Sequence, residues 1–189
     1  MSAVFVTSDI HLSHLNILKY NAATRGMFKD VDEMNEAIVQ RWNETVGPED
    51  HTFILGDVSM GDVSRAPGYI QRLNGTKTLI LGNHDRSLMK IEGIRDLFHG
   101  VYDYLVYSHS KQDHFVMFHY PIASWDGKNH GSGSFHLHGH LHGAPSGIKG
   151  RAMDVGMDCN DLRPFSLDAV AEKLRGISKP EYDHHGGTV

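Results

Sequence analysis

TKTLILGNHD, residues 76 to 85, is an apolar run that stops abruptly in Gly-Asn-His-Asp. Its length and β-branched content suit a buried strand, and the polar stop suits a loop at the strand's carboxyl end. Two earlier segments have the same form. AVFVTSD (3–9) leads through Ile10 to His11, and HTFILGD (51–57) ends at Asp57. Between them, Val31, Met34, Ile38 and Trp42 fall at helical spacing behind an Asp30/Glu33 capping pair. Helices are also expected over 63–73, although Pro67 and Gly68 weaken that reading, and over much of 86–98. This alternation of strand and helix predicts an α/β fold.

After Gly100 the hydrophobic period moves towards two. VYDYLVYS and HFVMFHY flank the polar HSKQD and predict an antiparallel hairpin. SFHLHGH and RAMDVGMD follow as short strands of the same antiparallel set, and SLDAVAEKLRG predicts a closing helix that Ser166 could cap. One domain over 1–178 is expected, with 179–189 as a flexible tail in which His184 and His185 are bystanders.

Composition narrows the class. The 189 residues are 40% hydrophobic and 22% charged, enough for a real core and ordinary for a globular protein. No stretch approaches the roughly 18 apolar residues of a membrane span, so no membrane role is expected. The N-terminal segment lacks the pattern of a secretory signal. A single cysteine, Cys159, leaves no internal disulfide and suits a cytoplasmic location. The formal net charge of −5 gives no support to a broad nucleic-acid track. Fifteen histidines against one cysteine point any metal towards imidazole and oxygen ligands.

In an open α/β sheet, ligands bind at the carboxyl ends of the strands. Asp9, His11, Asp57, Asn83, His84 and Asp85 would therefore gather on one rim, joined by His119, His140 and His142. Singly, each has a bland reading: Gly-Asp as a turn, Asn83 as a helix cap, His119 as a core histidine. Their recurrence at several strand ends argues for metal ligation. Burying so many carboxylates and imidazoles without a cation would be costly.

SDIH, GD, GNHD, FHYP and GHLH, in that order, resemble the five blocks of the calcineurin-like metallophosphoesterases. DVGMD (154–158) is similar to that family's closing core strand. The resemblance implies a four-layer αββα sandwich with two mixed β-sheets and a dinuclear metal site at the strand ends. It implies one metal held by Asp9, His11 and His142, and another by Asn83, His119 and His140, with Asp57 bridging. The cofactors would be two divalent transition-metal ions, Mn first, with Fe, Zn or Ni as alternatives. His84 would be the general acid and Asp85 would orient its ring. His136 and His138, preceding Gly139, would pack or hydrogen-bond near the core.

The resemblance also implies a phosphoester hydrolase. GDVSMG and GNHD depart from the blocks usual in protein phosphatases of the superfamily. The chain looks more like small stand-alone bacterial and phage phosphoesterases, so a small, nucleotide-type phosphoester is the expected substrate. A nuclease or nucleic-acid end phosphatase is the alternative, and a silent interaction module is less favoured because no ligand position is missing. Arg86, His14 and Asn16 are candidate substrate contacts. Arg25, in the ATRGMF loop, is expected to be solvated.

Overall fold

The computed structural model describes residues 2–128 and 133–177. The 179–189 tail and its two histidines lie outside the described residues. The chain forms two mixed sheets, as the resemblance implied. In the first, β1 (Val4–Thr7), β2 (His51–Ile54), β3 (Thr76–Ile80) and β4 (Gly100–Tyr102) run parallel. β9 (Phe165–Ser166) adds an antiparallel edge beside β1. The second sheet has the order β5 (Leu105–Ser108), β6 (Asp113–Met117), β7 (Gly133–His138), β8 (Ala152–Asp154).

Side-chain alternation divides the core in two. Phe5, Ile54 and Leu79 face a helical layer, where Met34, Ile38 and Trp42 of α3 (Val31–Thr45) pack against them. The intervening Val6, Phe53 and Ile80 face the second sheet and meet Phe115, Phe135 and Leu137. α6 (Leu167–Arg175) joins this inter-sheet core through Leu167, Val170 and Leu174. Asp30 caps α3 by accepting from the Glu33 amide at 2.8 Å. The reciprocal half of the capping box is shifted, because Glu33 accepts from the Lys29 amide instead.

Several expectations need correction. The helix over 63–73 is a 3₁₀ turn, Val63–Arg65, followed by the five-residue α4 (Ala66–Ile70), with Pro67 in its first turn. The helix over 86–98 shrinks to α5 (Asp85–Leu88) and a 3₁₀ turn, Ile94–Leu97, separated by Gly93 at φ 73°. The first arm of the expected hairpin splits between the sheets. Its start becomes β4, paired parallel with β3, and its end becomes β5, antiparallel to β6. The later strands are not an antiparallel set, since β6–β7 and β7–β8 pair in parallel. Ser166 makes no side-chain cap to α6.

This topology fixes the site's location. Thr7 lies opposite Ile54, and Ile54 opposite Leu79, so the loops after β1, β2 and β3 leave from one rim. β6 and β7 are aligned likewise, with Met117 opposite Leu137. The two rims meet.

Candidate metal centre

Hydrogen bonding continues beyond the strand ends into the loops. Asp9 donates its amide to Gly56 O at 3.0 Å, and His11 donates its amide to Asp57 O at 3.0 Å. Five chemically conspicuous residues then take left-handed backbone: Asp9 (φ 55°), His11 (53°), Asp57 (55°), His140 (71°) and His142 (50°). Each such residue costs roughly 1–2 kcal/mol because its Cβ crowds the chain. Backbone strain of this kind clusters where function requires a particular side-chain direction.

The strained loops aim two sets of donor atoms inward. Asp9, His11 and His142 form one group and Asp57, His119 and His140 another, each with donor atoms within 4.8 Å of one another. Asp57 stands between them, with Oδ2 at 3.8 Å from His11 Nε2 and 3.5 Å from His119 Nε2. Asn83 Oδ1 approaches His119 Nε2 to 3.0 Å, which places the amide with the second group. His119 Nδ1 donates to Leu55 O at 2.7 Å, and His142 Nδ1 donates to Asp158 Oδ2 at 2.8 Å. Those bonds leave each Nε2 lone pair directed at the centre.

The carboxylates are divided in the same manner. Asp9 Oδ2 accepts from the His140 amide at 2.9 Å, while buried Oδ1 has no hydrogen-bond partner among the described residues. Asp57 Oδ1 accepts from the His84 amide at 2.9 Å, and Oδ2 faces the imidazoles. Neither ring nitrogen of His11 has a hydrogen-bond partner among the described residues, although the side chain is only 3% exposed. Burial pushes the Asp9 carboxyl up to about 6 and, in the same direction of favouring the neutral form, holds His11 well below its ordinary range. Unpartnered, dehydrated oxygen and nitrogen atoms a few ångströms apart fit divalent cations, whose bonds to such ligands are about 2.0–2.2 Å.

Close packing holds the two rims together. A Cβ on Gly139 would collide with Ser8 Oγ and the Asp9 carboxylate, and one on Gly82 would collide with Asp57. Glycine at 139 therefore lets the GHLH turn lie against the first sheet. Of the four alternate histidines, only His140 and His142 reach the donor groups. His136 is fully buried, donating Nδ1 to Val116 O at 3.0 Å and accepting the Ile122 amide at 3.2 Å. His138 is also buried, with Nδ1 on Gly139 O at 3.0 Å.

The remaining candidates divide. His84 is 38% exposed on its side chain, with Nε2 at 4.0 Å from Asp57 Oδ2, so its ring is at the centre and open to solvent. Asp85 does not orient that ring. Its buried carboxylate instead accepts backbone amides of Asp57, Val58 and Gly82 at 2.8–2.9 Å, tying the second and third ligand loops together. His14 is buried with its ring 5.3 Å from His11. Asn16 is exposed, and its side chain makes no cap to the short helix α1 (Ile17–Tyr20). Arg86 is exposed and lines a cavity that it shares with Asn83.

Two important residues escaped the sequence reading. Arg25 is not solvated: it is fully buried and holds Asp158 through Nε and Nη2, both at 2.9 Å. It also donates to Asp9 O at 2.7 Å and Ile10 O at 2.8 Å, pinning the strained first loop. Asp158 in turn orients His142. Burial alone would raise the Asp158 carboxyl, but the bonds from His142 and Arg25 outweigh it and hold the group well below the usual carboxylate range. The DVGMD segment contained the residue, but no local pattern joined it to Arg25, 133 positions away.

A family model, described as calcineurin-like phosphoesterase, matches residues 3–181. The chain is 28% identical over 182 residues to an uncharacterized protein of Methanocaldococcus jannaschii, covering 92% of each. It is 28% identical over 207 residues to the gene 66 protein of Mycobacterium phage D29, covering 95% of this chain and 99% of that one. A crystal structure of a protein of unknown function from Aquifex aeolicus shares the fold, with a TM-score of 0.69 and 23% identity. That likeness covers 92% of this chain and 100% of the other.

Proposed function

The chain belongs to the calcineurin-like phosphoesterase family, and from that membership we propose that it is a metal-dependent hydrolase of small, nucleotide-type phosphoesters. The observation that carries this reading is the pair of donor groups with Asp57 standing between them. Asp9, His11 and His142 would hold one cation, and Asn83, His119 and His140 the other, with the Asp57 carboxylate shared. When bound, two divalent cations supply Lewis acidity, polarising the phosphoryl group and lowering the pKa of water towards neutrality. A mixed nitrogen and oxygen donor set suits Mn, Fe, Zn or Ni, and Mn is our first choice.

The protein's own groups account for the rest. The neutral Asn83 amide adds a ligand without adding negative charge, which favours an anionic substrate. His84, fixed through its amide to Asp57, presents Nε2 to solvent beside the centre. There it would donate a proton to the leaving oxygen or a hydrogen bond to the phosphoryl group. Arg25 and Asp85 act at a distance, holding the ligand loops in their strained conformations. The test is to strip the protein of metal and refill it with Mn, Zn, Ni, Fe or Mg. Each form is then assayed on mono-, di- and cyclic phosphoesters. Hydrolysis with at least one transition metal is expected, and none with any metal refutes the proposal.

A further inference from the structure

A cavity of about 530 Å³ opens beside Asn83 and Tyr120, at the edge of the metal centre. Its lining combines two chemistries. The turns after β3 contribute Arg86, Lys90 and Arg95, all exposed, and none forms an ion pair with another described residue. The chain after β6 contributes the rings of Phe118 and Tyr120, edge to face at 5.6 Å. The Tyr120 ring also lies 4.9 Å from that of His140, so the aromatic pair begins at a candidate ligand. Among the described residues Asp103 is the one carboxylate in the lining, which leaves two positive charges in excess there on a protein of net charge −5. The three cations follow one another at spacings of four and five residues across the short turns after β3, so they form no obvious basic run in sequence.

Unpaired guanidinium and ammonium groups in one cavity with the half-buried Phe118 ring and the exposed Tyr120 ring match a ligand that is anionic at one end and planar at the other. The volume lies in the usual range for a small-molecule site. Resting on the hydrolase reading above, we propose that this cavity binds a nucleotide unit carrying a phosphate additional to the one hydrolysed. That second phosphate sits among Arg86, Lys90 and Arg95, and the base lies against Phe118 and Tyr120. The metal centre selects phosphoesters; the cavity selects among them.

The experiment measures binding, so it does not depend on turnover. Thymidine 3′,5′-bisphosphate and thymidine 5′-phosphate are titrated calorimetrically into the Mn-refilled protein. The same titrations are made on the double variant Lys90→Ala/Arg95→Ala, whose exposed positions leave folding intact by thermal melting. The wild type is expected to prefer the bisphosphate, and the variant to lose about tenfold of that preference. An unchanged preference overturns the phosphate site. An abasic deoxyribose 3′,5′-bisphosphate that binds as tightly as the thymidine compound overturns the aromatic half. A long oligothymidylate that binds far more tightly, with a steep salt dependence, overturns a site of nucleotide size in favour of a strand-binding track. Failure of the hydrolase reading would appear separately, as the absence of hydrolysis of mono-, di- and cyclic phosphoesters by the wild type with every metal.

Discussion

Replacing Asp158 with Asn tests whether the ligand loops are positioned from behind. The substitution keeps the side chain's size and exchanges one acceptor oxygen for a donor. The carboxylate accepts four hydrogen bonds: Thr24 Oγ1 and Arg25 Nε on Oδ1, and Arg25 Nη2 and His142 Nδ1 on Oδ2. Whichever way the new amide turns, two of these donors face an NH₂ group. Hydrogen bonds to charged groups contribute about 1.5–3 kcal/mol each, so two losses amount to about 3–6 kcal/mol. Breaking a buried ion pair from one side gives a similar figure, about 3–5 kcal/mol, because Arg25 is left charged and dehydrated. We expect Asp158→Asn to lower stability by about 3–5 kcal/mol in urea denaturation. In the fraction that stays folded at low temperature, Mn affinity should fall about 10–100-fold, since His142 loses its charged partner and keeps at most a neutral amide oxygen to fix its tautomer. Thr24→Val, which removes one hydrogen bond and keeps both charges, should show a smaller loss of stability with metal affinity near wild type. A wild-type urea midpoint for Asp158→Asn, or unchanged metal affinity in the folded variant, would refute the reasoning.

His84→Ala should retain metal and fold normally but lose about 10²–10⁴ in turnover; near wild-type rates would exclude the acid role. Gly139→Ala places a Cβ against Ser8 and Asp9, so it should separate the two rims. Metal content after dialysis and the melting temperature should both drop, and a normal metal content would contradict the packing argument. For His136, burial pushes the folded-state value down to about 4. The unfolded chain therefore takes up the proton first, and stability is lost as pH falls from about 6.5 towards 4, by about 3 kcal/mol in all. His136→Phe should flatten that part of the pH dependence, read as urea midpoints at pH 7 and pH 4.5. An unchanged slope would place the acid sensitivity elsewhere.

The rim was legible because each strand is short, apolar and ended by residues that a strand cannot bury unpaired. Asp9, Asp57 and Asn83 announced themselves in that way, and the parallel register then carried them to one edge. The period-2 pattern after Gly100 was less informative, because alternation is blind to strand direction and to which sheet a strand joins. Thus β4 and β5 read as one arm, although they pair in different sheets. The helices over 63–73 and 86–98 were overestimated because apolar spacing persists where the chain breaks into short α and 3₁₀ turns, around Pro67 in the first and at Gly93 in the second. The contact between Arg25 and Asp158 was invisible for a different reason. Arg25 sits in a segment of ordinary loop composition and Asp158 at the end of a short apolar pattern, and only the folded chain removes both from water. Asp85 looked like a partner for its neighbour His84, whereas its acceptors serve amides of its own loop and of the loop after β2.

The left-handed backbone at Asp9, His11, Asp57, His140 and His142 has a consequence for how this protein can change over generations. At roughly 1–2 kcal/mol each, the five together approach the net stability of a typical domain. Glycine at any of them would relieve the conformation and delete a donor atom in one step. Such inactive variants should melt above the metal-free wild type. Mutational drift screened only for hardiness would then erode the centre first, so these residues persist in the chain only under selection for what the centre does.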